Sequence, residues 1–301
     1  MADPQRTAII GLGSMGLGIA KSCLAAGYMT YGFDVRHDQE ATFRDMGGAD
    51  GSLANVAGDI DSLICVVLNA AQTEDVLLGP NGAAAKMRPG SVVISCATVP
   101  PAFAKDMEAR CQALGLHYLD APISGGSVKA ANGQLTIMAS GTAEAFTAAK
   151  PALDATAETV FELGDGAGPG SAMKAVNQLL AGVHIATMAE ALTFGMTQGV
   201  DPKSFVDVIS KCAGTSWMLE NRAPHIVDGD YTPHSQINIW PKDLGIVLDI
   251  AKGDGFDAPI AQAALSQFLK AVEMGLGGID DAGVAKVYAD QSGLRLPGDD
   301  T

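Results

Sequence analysis

At 301 residues and roughly 150 residues per domain, the chain has room for two domains and for a core that needs no disulfide or metal staple. Nineteen Lys and Arg against 34 Asp and Glu leave a net charge of −15. That balance excludes a general binder of nucleic acid or of an anionic membrane, whose phosphates it would repel. In chain order, Met1–Thr7 carries one Arg and runs directly into an apolar strand, so no signal peptide is expected. Short β-branched runs at Thr7–Ile10, Leu63–Leu68, Ser91–Ser95 and Leu135–Ala139 predict strands, Tyr31–Asp34 is read as a further strand, and Met15–Ala26 and Ala102–Leu114 carry helical periods. Apolar runs bounded by Gly, Asp or Pro suit strands buried on both faces, so the alternation predicts an α/β domain with a parallel sheet.

The pattern changes at Gly164–Gly170, where four glycines and one proline fall in seven residues. Such a run reads as a linker, and it sets the expected domains at residues 1–166 and 167–301. Ser171 to about Gln198 is nearly free of breakers and reads as one helix, roughly 40 Å long at ~1.5 Å per residue, with Gly170 or Ser171 as N-cap. Its apolar stretch Leu179–Met196 is interrupted by His184 and Glu190, which suits a buried helix better than a membrane span. The remainder carries helical signals at Pro202–Lys211, Lys242–Lys252, Pro259–Met274 and Asp281–Ala289, so the second domain is expected to be all-helical. Trp217 is expected to pack between helices, and Leu296–Thr301 to be a frayed tail.

Cys23, Cys65, Cys96, Cys111 and Cys212 form no CxxC pair, and their odd number cannot all pair internally. They are expected to be small buried apolar residues in a reducing, cytoplasmic compartment. The five histidines, His37, His117, His184, His225 and His234, lack metal-ligand spacing, and no metal site is expected.

The first motif with chemistry is Gly11-Leu12-Gly13-Ser14-Met15-Gly16, directly after a strand and opening a helix. Gly11 allows the tight turn, Gly13 lets backbone approach a pyrophosphate, and Gly16 allows helix and sheet to pack closely. Asp34 ends the next strand 23 residues after Gly11, close to the ~20-residue separation of a carboxylate that binds the adenosine ribose. The expected cofactor is NAD, because a carboxylate there repels a 2′-phosphate. Arg36 keeps NADP open, since a guanidinium can pair with that phosphate.

Further on, Ser124-Gly125-Gly126 can offer successive backbone N–H groups and a hydroxyl to a carboxylate, or can serve only as a turn between strands. On the long helix Lys174, Asn177 and Gln178 stand at i, i+3 and i+4 and share one face. A lysine near a helix start and partly buried is pushed toward the range of a general base; the alternative is a solvated lysine.

These residues resemble a family. Gly11-x-Gly13-x-x-Gly16, Asp120-Ala121-Pro122-Ile123-Ser124-Gly125-Gly126, Gly168-x-Gly170-x-x-x-Lys174-x-x-Asn177 and Lys242-Asp243-Leu244 occur in the order seen in the β-hydroxyacid dehydrogenases, the relatives of 3-hydroxyisobutyrate dehydrogenase and tartronate semialdehyde reductase. The resemblance implies an N-terminal Rossmann domain, a long connecting helix and an all-α C-terminal domain that self-associates, as a dimer or tetramer. It implies Lys174 as the catalytic acid/base, and Ser124, Gly125, Gly126, Asn177, Gln178 and Lys242 on a small hydroxy-acid substrate. Gly11, Leu12, Gly13, Ser14, Met15, Gly16, Asp34, Arg36, Leu68, Asn69, Thr98 and Lys242 would hold the cofactor. Asn69-Ala70-Ala71-Gln72, Ser216-Trp217-Met218, Glu220-Asn221-Arg222 and Asp228–Ser235 are similar to a narrower branch acting on four-carbon sugar acids. A polyhydroxy acid needs its hydroxyls hydrogen-bonded once desolvated, and Asn69, Gln178, Asn221 and Arg222 are candidates to bond them.

Overall fold

The computed structural model describes residues 5–299. Its contacts divide the chain into two compact units, the first closing at Lys174 and the second opening at Ala175.

The first unit is built on five parallel strands in the order β2-β1-β3-β4-β5. They are β1 (Arg6–Ile10), β2 (Met29–Phe33), β3 (Ser62–Cys65), β4 (Val92–Ser95) and β5 (His117–Asp120). Alternate residues point to opposite faces, as the two-residue period of a strand requires. Ile9, Ile64, Ile94 and Leu119 pack into one core layer, while Ala8, Leu63, Val93 and Tyr118 pack into the other. Burial on both faces explains why these strands read as continuous apolar runs. The intervening helices are α1 (Ser14–Ala25), α2 (His37–Asp45), α3 (Leu53–Val56), α4 (Ala70–Leu78) and α5 (Pro101–Ala113). After β1 the chain goes to β2 on one side and returns to β3 on the other, so the strand order reverses between β1 and β3. Ligands of open α/β sheets bind beyond the carboxyl ends of the strands at such a point.

His117–Asp120, not expected as a strand, completes this sheet as β5, and a second departure lies outside it. Leu135–Ala139 is β7 of a separate three-stranded sheet, between β6 (Ile123–Ser124) and β8 (Ala157–Glu162). Ala121-Pro122 interrupts the chain after β5, and β6 then runs antiparallel to β7, while β8 is parallel to it. Helices α6 (Gly126–Ala131) and α7 (Ala143–Thr156) complete this region. Pro151 lies inside α7, which conceals that helix from a reading that treats proline as a stop.

Helix α8 (Pro169–Thr197) begins earlier than expected, with Pro169 in its first turn, where the missing N–H costs nothing. The glycine run before it is not a loose linker. A Cβ on Gly170 would lie 2.5 Å from the Met138 carbonyl oxygen and 2.8 Å from that of Asp120, so glycine is there for close approach. By length and composition α8 could cross a membrane, with a mean hydropathy of 1.4 over its most apolar stretch, of which 44% is buried. Expected burial is therefore only partial, since Met173, Val176, Leu180 and Phe194 are exposed.

The second unit contains the rest of α8 with α9 (Pro202–Ile209), α10 (Trp217–Asp228), α11 (Ile239–Gly253), α12 (Pro259–Glu273) and α13 (Ala285–Ser292). Its core includes Ile185, Leu192, Ile226, Leu244 and Phe268. The tryptophan that packs is Trp240, stacked on Phe268 with ring centroids 5.6 Å apart. Trp217, expected between helices, is 62% exposed. Leu296, expected in a frayed tail, is buried, and its N–H donates to Asp299, whose carboxylate also pairs with Lys286. Asp300 and Thr301 lie outside the described residues.

Arg222 is buried rather than open to a ligand. Its Nε donates to Asp281 Oδ1 at 2.6 Å, and Trp240 Nε1 donates to Oδ2 at 2.9 Å. Burial pushes the Asp281 carboxyl up, and the guanidinium opposes that shift. Asp281→Ala strands a buried guanidinium and is expected to cost about 3–5 kcal/mol, read as a lower urea midpoint; an unchanged midpoint would contradict this assignment.

Candidate active site

The glycine turn after β1 is set by steric limits. Gly11 has φ +93°, and a Cβ there would lie 2.3 Å from the Val66 carbonyl oxygen. On Gly16 a Cβ would lie 1.8 Å from the Gly11 carbonyl oxygen, so the third glycine packs against the turn itself. Gly13 differs, because a Cβ there would meet no protein atom within 4 Å. It is the N-cap of α1, and no side chain caps that end. A helix start with glycine before it and open space above it fits the pyrophosphate of a dinucleotide.

Asp34 follows β2, and its carboxylate accepts from Leu12 N–H at 2.7 Å and Arg36 N–H at 2.9 Å. It therefore holds the glycine turn. Arg36 Nε lies 3.6 Å from the same carboxylate. Leu68 and Asn69 follow β3, and Thr98 follows β4. All these groups stand at the carboxyl edge of one sheet, beside the order reversal. Asn69 also has a structural role. Its Oδ1 caps α4 by accepting from Gln72 N–H at 2.9 Å, while Gln72 Oε1 accepts from Leu68 N–H at 2.9 Å. This is a capping-box exchange with the reverse bond moved back one residue, and it was legible in the Asn-x-x-Gln spacing.

Gly125 and Gly126 have φ of +135° and +78°, so the turn after Ser124 requires glycine at both positions. The turn is tied to the cofactor-loop helix. A Cβ on Gly18 would lie 2.8 Å from Ala130 Cβ, and Ser22 Oγ donates to Ala130 O at 2.7 Å. Helices α1 and α6 thus hold the pyrophosphate turn and the Ser124–Gly126 turn in one frame.

Lys174 lies in the second turn of α8 and is only 8% exposed. Its Nζ donates to the Ile123 carbonyl at 2.8 Å, one residue before Ser124. What holds the helix start is Asp120, whose role the sequence did not reveal. Its carboxylate accepts from Gly168 N–H at 3.0 Å, Ser171 N–H at 2.8 Å and Ser171 Oγ at 2.7 Å. Burial pushes the Asp120 carboxyl up, and these donors oppose it.

In the second unit, Asn177 Nδ2 donates to Gln178 Oε1 at 2.9 Å, Gln178 Nε2 donates to Asp243 Oδ2, and Lys242 Nζ lies 2.7 Å from Asp243 Oδ1. Four polar side chains from α8 and α11 therefore form one chain. Asn221 is bonded to Arg222. Of the cysteines, Cys23, Cys65, Cys96 and Cys111 are buried as expected, but Cys212 is exposed. Burial raises the thiols of Cys23, Cys65 and Cys111 to about 12, which removes them as nucleophiles. Among the described residues no group of three or more His, Cys, Asp or Glu could hold a metal ion.

Comparison with known proteins agrees with this geometry. Residues 6–164 match the model of the NAD-binding domain of 6-phosphogluconate dehydrogenase. Residues 168–288 match that of the NAD-binding region of NADP-dependent 3-hydroxyisobutyrate dehydrogenase. The chain is 49% identical to the L-threonate dehydrogenase of Cupriavidus necator, covering 96% of this chain and 97% of that one. It is 44% identical to the L-threonate dehydrogenase of Escherichia coli strain K12, covering 96% of each. A crystal structure of 3-hydroxyisobutyrate dehydrogenase from Salmonella typhimurium is 47% identical, covers 94% of this chain and 99% of that one, and superposes with a TM-score of 0.88. The relatives make the chain a nicotinamide-dinucleotide-dependent dehydrogenase of a small hydroxy acid.

Two glycine substitutions separate the cofactor cradle from the fold. Gly13→Ala adds a methyl group where no protein atom stands, with backbone at φ −64°. The fold should keep its melting temperature while cofactor binding weakens by about 1–3 kcal/mol. Gly11→Ala should lower the melting temperature itself, through about 1–3 kcal/mol of backbone strain. Calorimetric titration and thermal melts of both variants check this; undiminished cofactor affinity in Gly13→Ala would contradict it.

Proposed function

The chain belongs to the 3-hydroxyisobutyrate dehydrogenase family of β-hydroxyacid dehydrogenases, and from that premise we propose that it oxidises L-threonate at C2 to the 2-oxo acid with NAD. The observation that carries the reading is the buried amine of Lys174, bonded to the carbonyl that precedes Ser124. Ser124 Oγ and the N–H groups of the Gly125–Gly126 turn receive the substrate carboxylate. Lys174 takes the proton of the reacting hydroxyl as the C–H bond breaks. A nicotinamide dinucleotide, when bound in the Gly11–Gly16 cradle, supplies the hydride acceptor. Lys242 adds positive charge to draw an acid to a protein of net charge −15.

Asn177 binds a further hydroxyl of a polyhydroxy acid, which a pocket shaped for a methyl group would leave unpaired, while Gln178, expected on the substrate, is engaged with Asp243 and Asn177. The 44–49% identities to proteins named L-threonate dehydrogenase support this choice. Arg222 and Asn221 are not part of the reading, since each is engaged in its own unit. NAD is preferred over NADP because the Asp34 carboxylate stands where a 2′-phosphate would be repelled, and Arg36 is already drawn to it. The protein is proposed to be cytoplasmic and to self-associate. Exposed Met173, Val176 and Leu180, at i, i+3 and i+7 of α8, support an apolar contact between copies.

Lys174→Ala is expected to lower kcat by about 10²–10⁴ if the amine carries the proton, with NAD affinity unchanged; retained turnover would remove it from the mechanism. A panel of L-threonate, erythronate, 3-hydroxyisobutyrate and glycerate, each with NAD and NADP, should give the highest kcat/KM for L-threonate with NAD. A higher value for 3-hydroxyisobutyrate or glycerate, or for NADP, would overturn the substrate or cofactor assignment.

A further inference from the structure

We infer that Asp243 is a positioning residue that fixes the polarity of two amides in series, so that Asn177 presents its oxygen to the substrate. Donor and acceptor chemistry requires it. An ionised carboxylate only accepts hydrogen bonds, whereas a carboxamide offers an acceptor on one side and donors on the other. Asp243 is 2% exposed and Gln178 is 7% exposed, so neither can exchange its partner for bulk water. One Asp243 oxygen lies 2.7 Å from Lys242 Nζ. The other accepts from Gln178 Nε2. Because the carboxylate cannot donate, Gln178 must turn its NH2 toward Asp243 and its Oε1 away. That oxygen then accepts from Asn177 Nδ2 at 2.9 Å, and Asn177 in turn must place its Oδ1 on the side away from Gln178. Every amide orientation in the chain is therefore dictated from its buried acidic end.

The consequence lies on the face of α8 that carries Lys174, three residues before Asn177. With Oδ1 outside the relay, Asn177 accepts the proton of a substrate hydroxyl. Flipped, it would offer an NH2 to that hydroxyl and leave the hydroxyl proton without an acceptor. Asp243 thus acts on the substrate through Gln178 and Asn177. This rests on the proposed function, in which Asn177 meets the substrate.

Asp243→Asn is the informative change because it preserves shape and alters polarity. The new amide keeps its single oxygen for the Lys242 ammonium and turns its NH2 to Gln178, which inverts Gln178 and then Asn177. We expect kcat/KM for L-threonate to fall about tenfold, roughly one hydrogen bond, chiefly through KM. In a Gln178→Met background the relay is already cut, so the same change should alter kcat/KM by less than about twofold. A residue that merely supports the fold would instead give losses that multiply, and that result would overturn the proposal.

Side-chain amide NMR of 15N-labelled protein reads the relay with no substrate present. Asp243→Asn should move the NH2 signals of both Gln178 and Asn177, and unmoved Asn177 signals would also overturn it. Failure of the substrate reading looks different: KM for L-threonate would be unchanged in Asn177→Ala while the Asn177 signals of Asp243→Asn still move.

Discussion

The interaction on which the site depends is a buried carboxylate at a helix start. Asp120 ends β5 and is 1% exposed, a placement that is costly for an anion unless donors replace its water. Two N–H groups and one hydroxyl at the start of α8 do so, and Ser140 Oγ stands at 3.3 Å. Ser140 in turn accepts from Gly170 N–H at 2.9 Å. An anion at the positive end of a helix is favourable in itself. Here the same contact ties α8 to the sheet within a few residues of both Lys174 and the Ser124–Gly126 turn. The chain leaving Asp120 is Ala121-Pro122-Ile123-Ser124, and the helix it anchors presents Lys174. The bond from Lys174 to Ile123 closes that ring, so amine and carboxylate turn are placed by one local set of contacts.

The cofactor side is held by steric exclusion together with the Asp34 carboxylate that accepts from Leu12 N–H. Gly11 and Gly16 leave no room for a side chain, and Gly18 leaves none between α1 and α6. Each absent Cβ brings one backbone against another, and the outcome is a frame in which the pyrophosphate turn and the Ser124–Gly126 turn share a packed helix pair. Gly13 alone faces space that no protein atom occupies. A single motif thus contains glycines of two kinds, two that the fold needs and one whose Cβ would meet no protein atom.

Local periodicity and spacing carried much of the fold and of the site. Four of the five parallel strands, the Gly11–Gly16 turn with Asp34, the long helix and the shared face of Lys174, Asn177 and Gln178 were legible, because each is a pattern within a few residues or one turn, whereas His117–Asp120 has no β-branched residue and was missed. What was hidden depended on partners far apart in the chain. Arg222 is committed to Asp281, 59 residues on, and Asp120 to Ser171, 51 residues on. No window of sequence contains either pair. Ala121-Pro122 diverted Leu135–Ala139 into a second sheet, and internal prolines concealed α7 and α10. Asn69 attracts notice for its polarity, yet the bond it makes is a helix cap.

The mechanism stands on Lys174 as proton carrier, and chemical rescue tests that most directly. With Lys174→Ala saturated with NAD and L-threonate, added small primary amines should restore NADH formation in proportion to the concentration of their uncharged form. Full activity without added amine, or a rescue that follows the ammonium form instead, would contradict it.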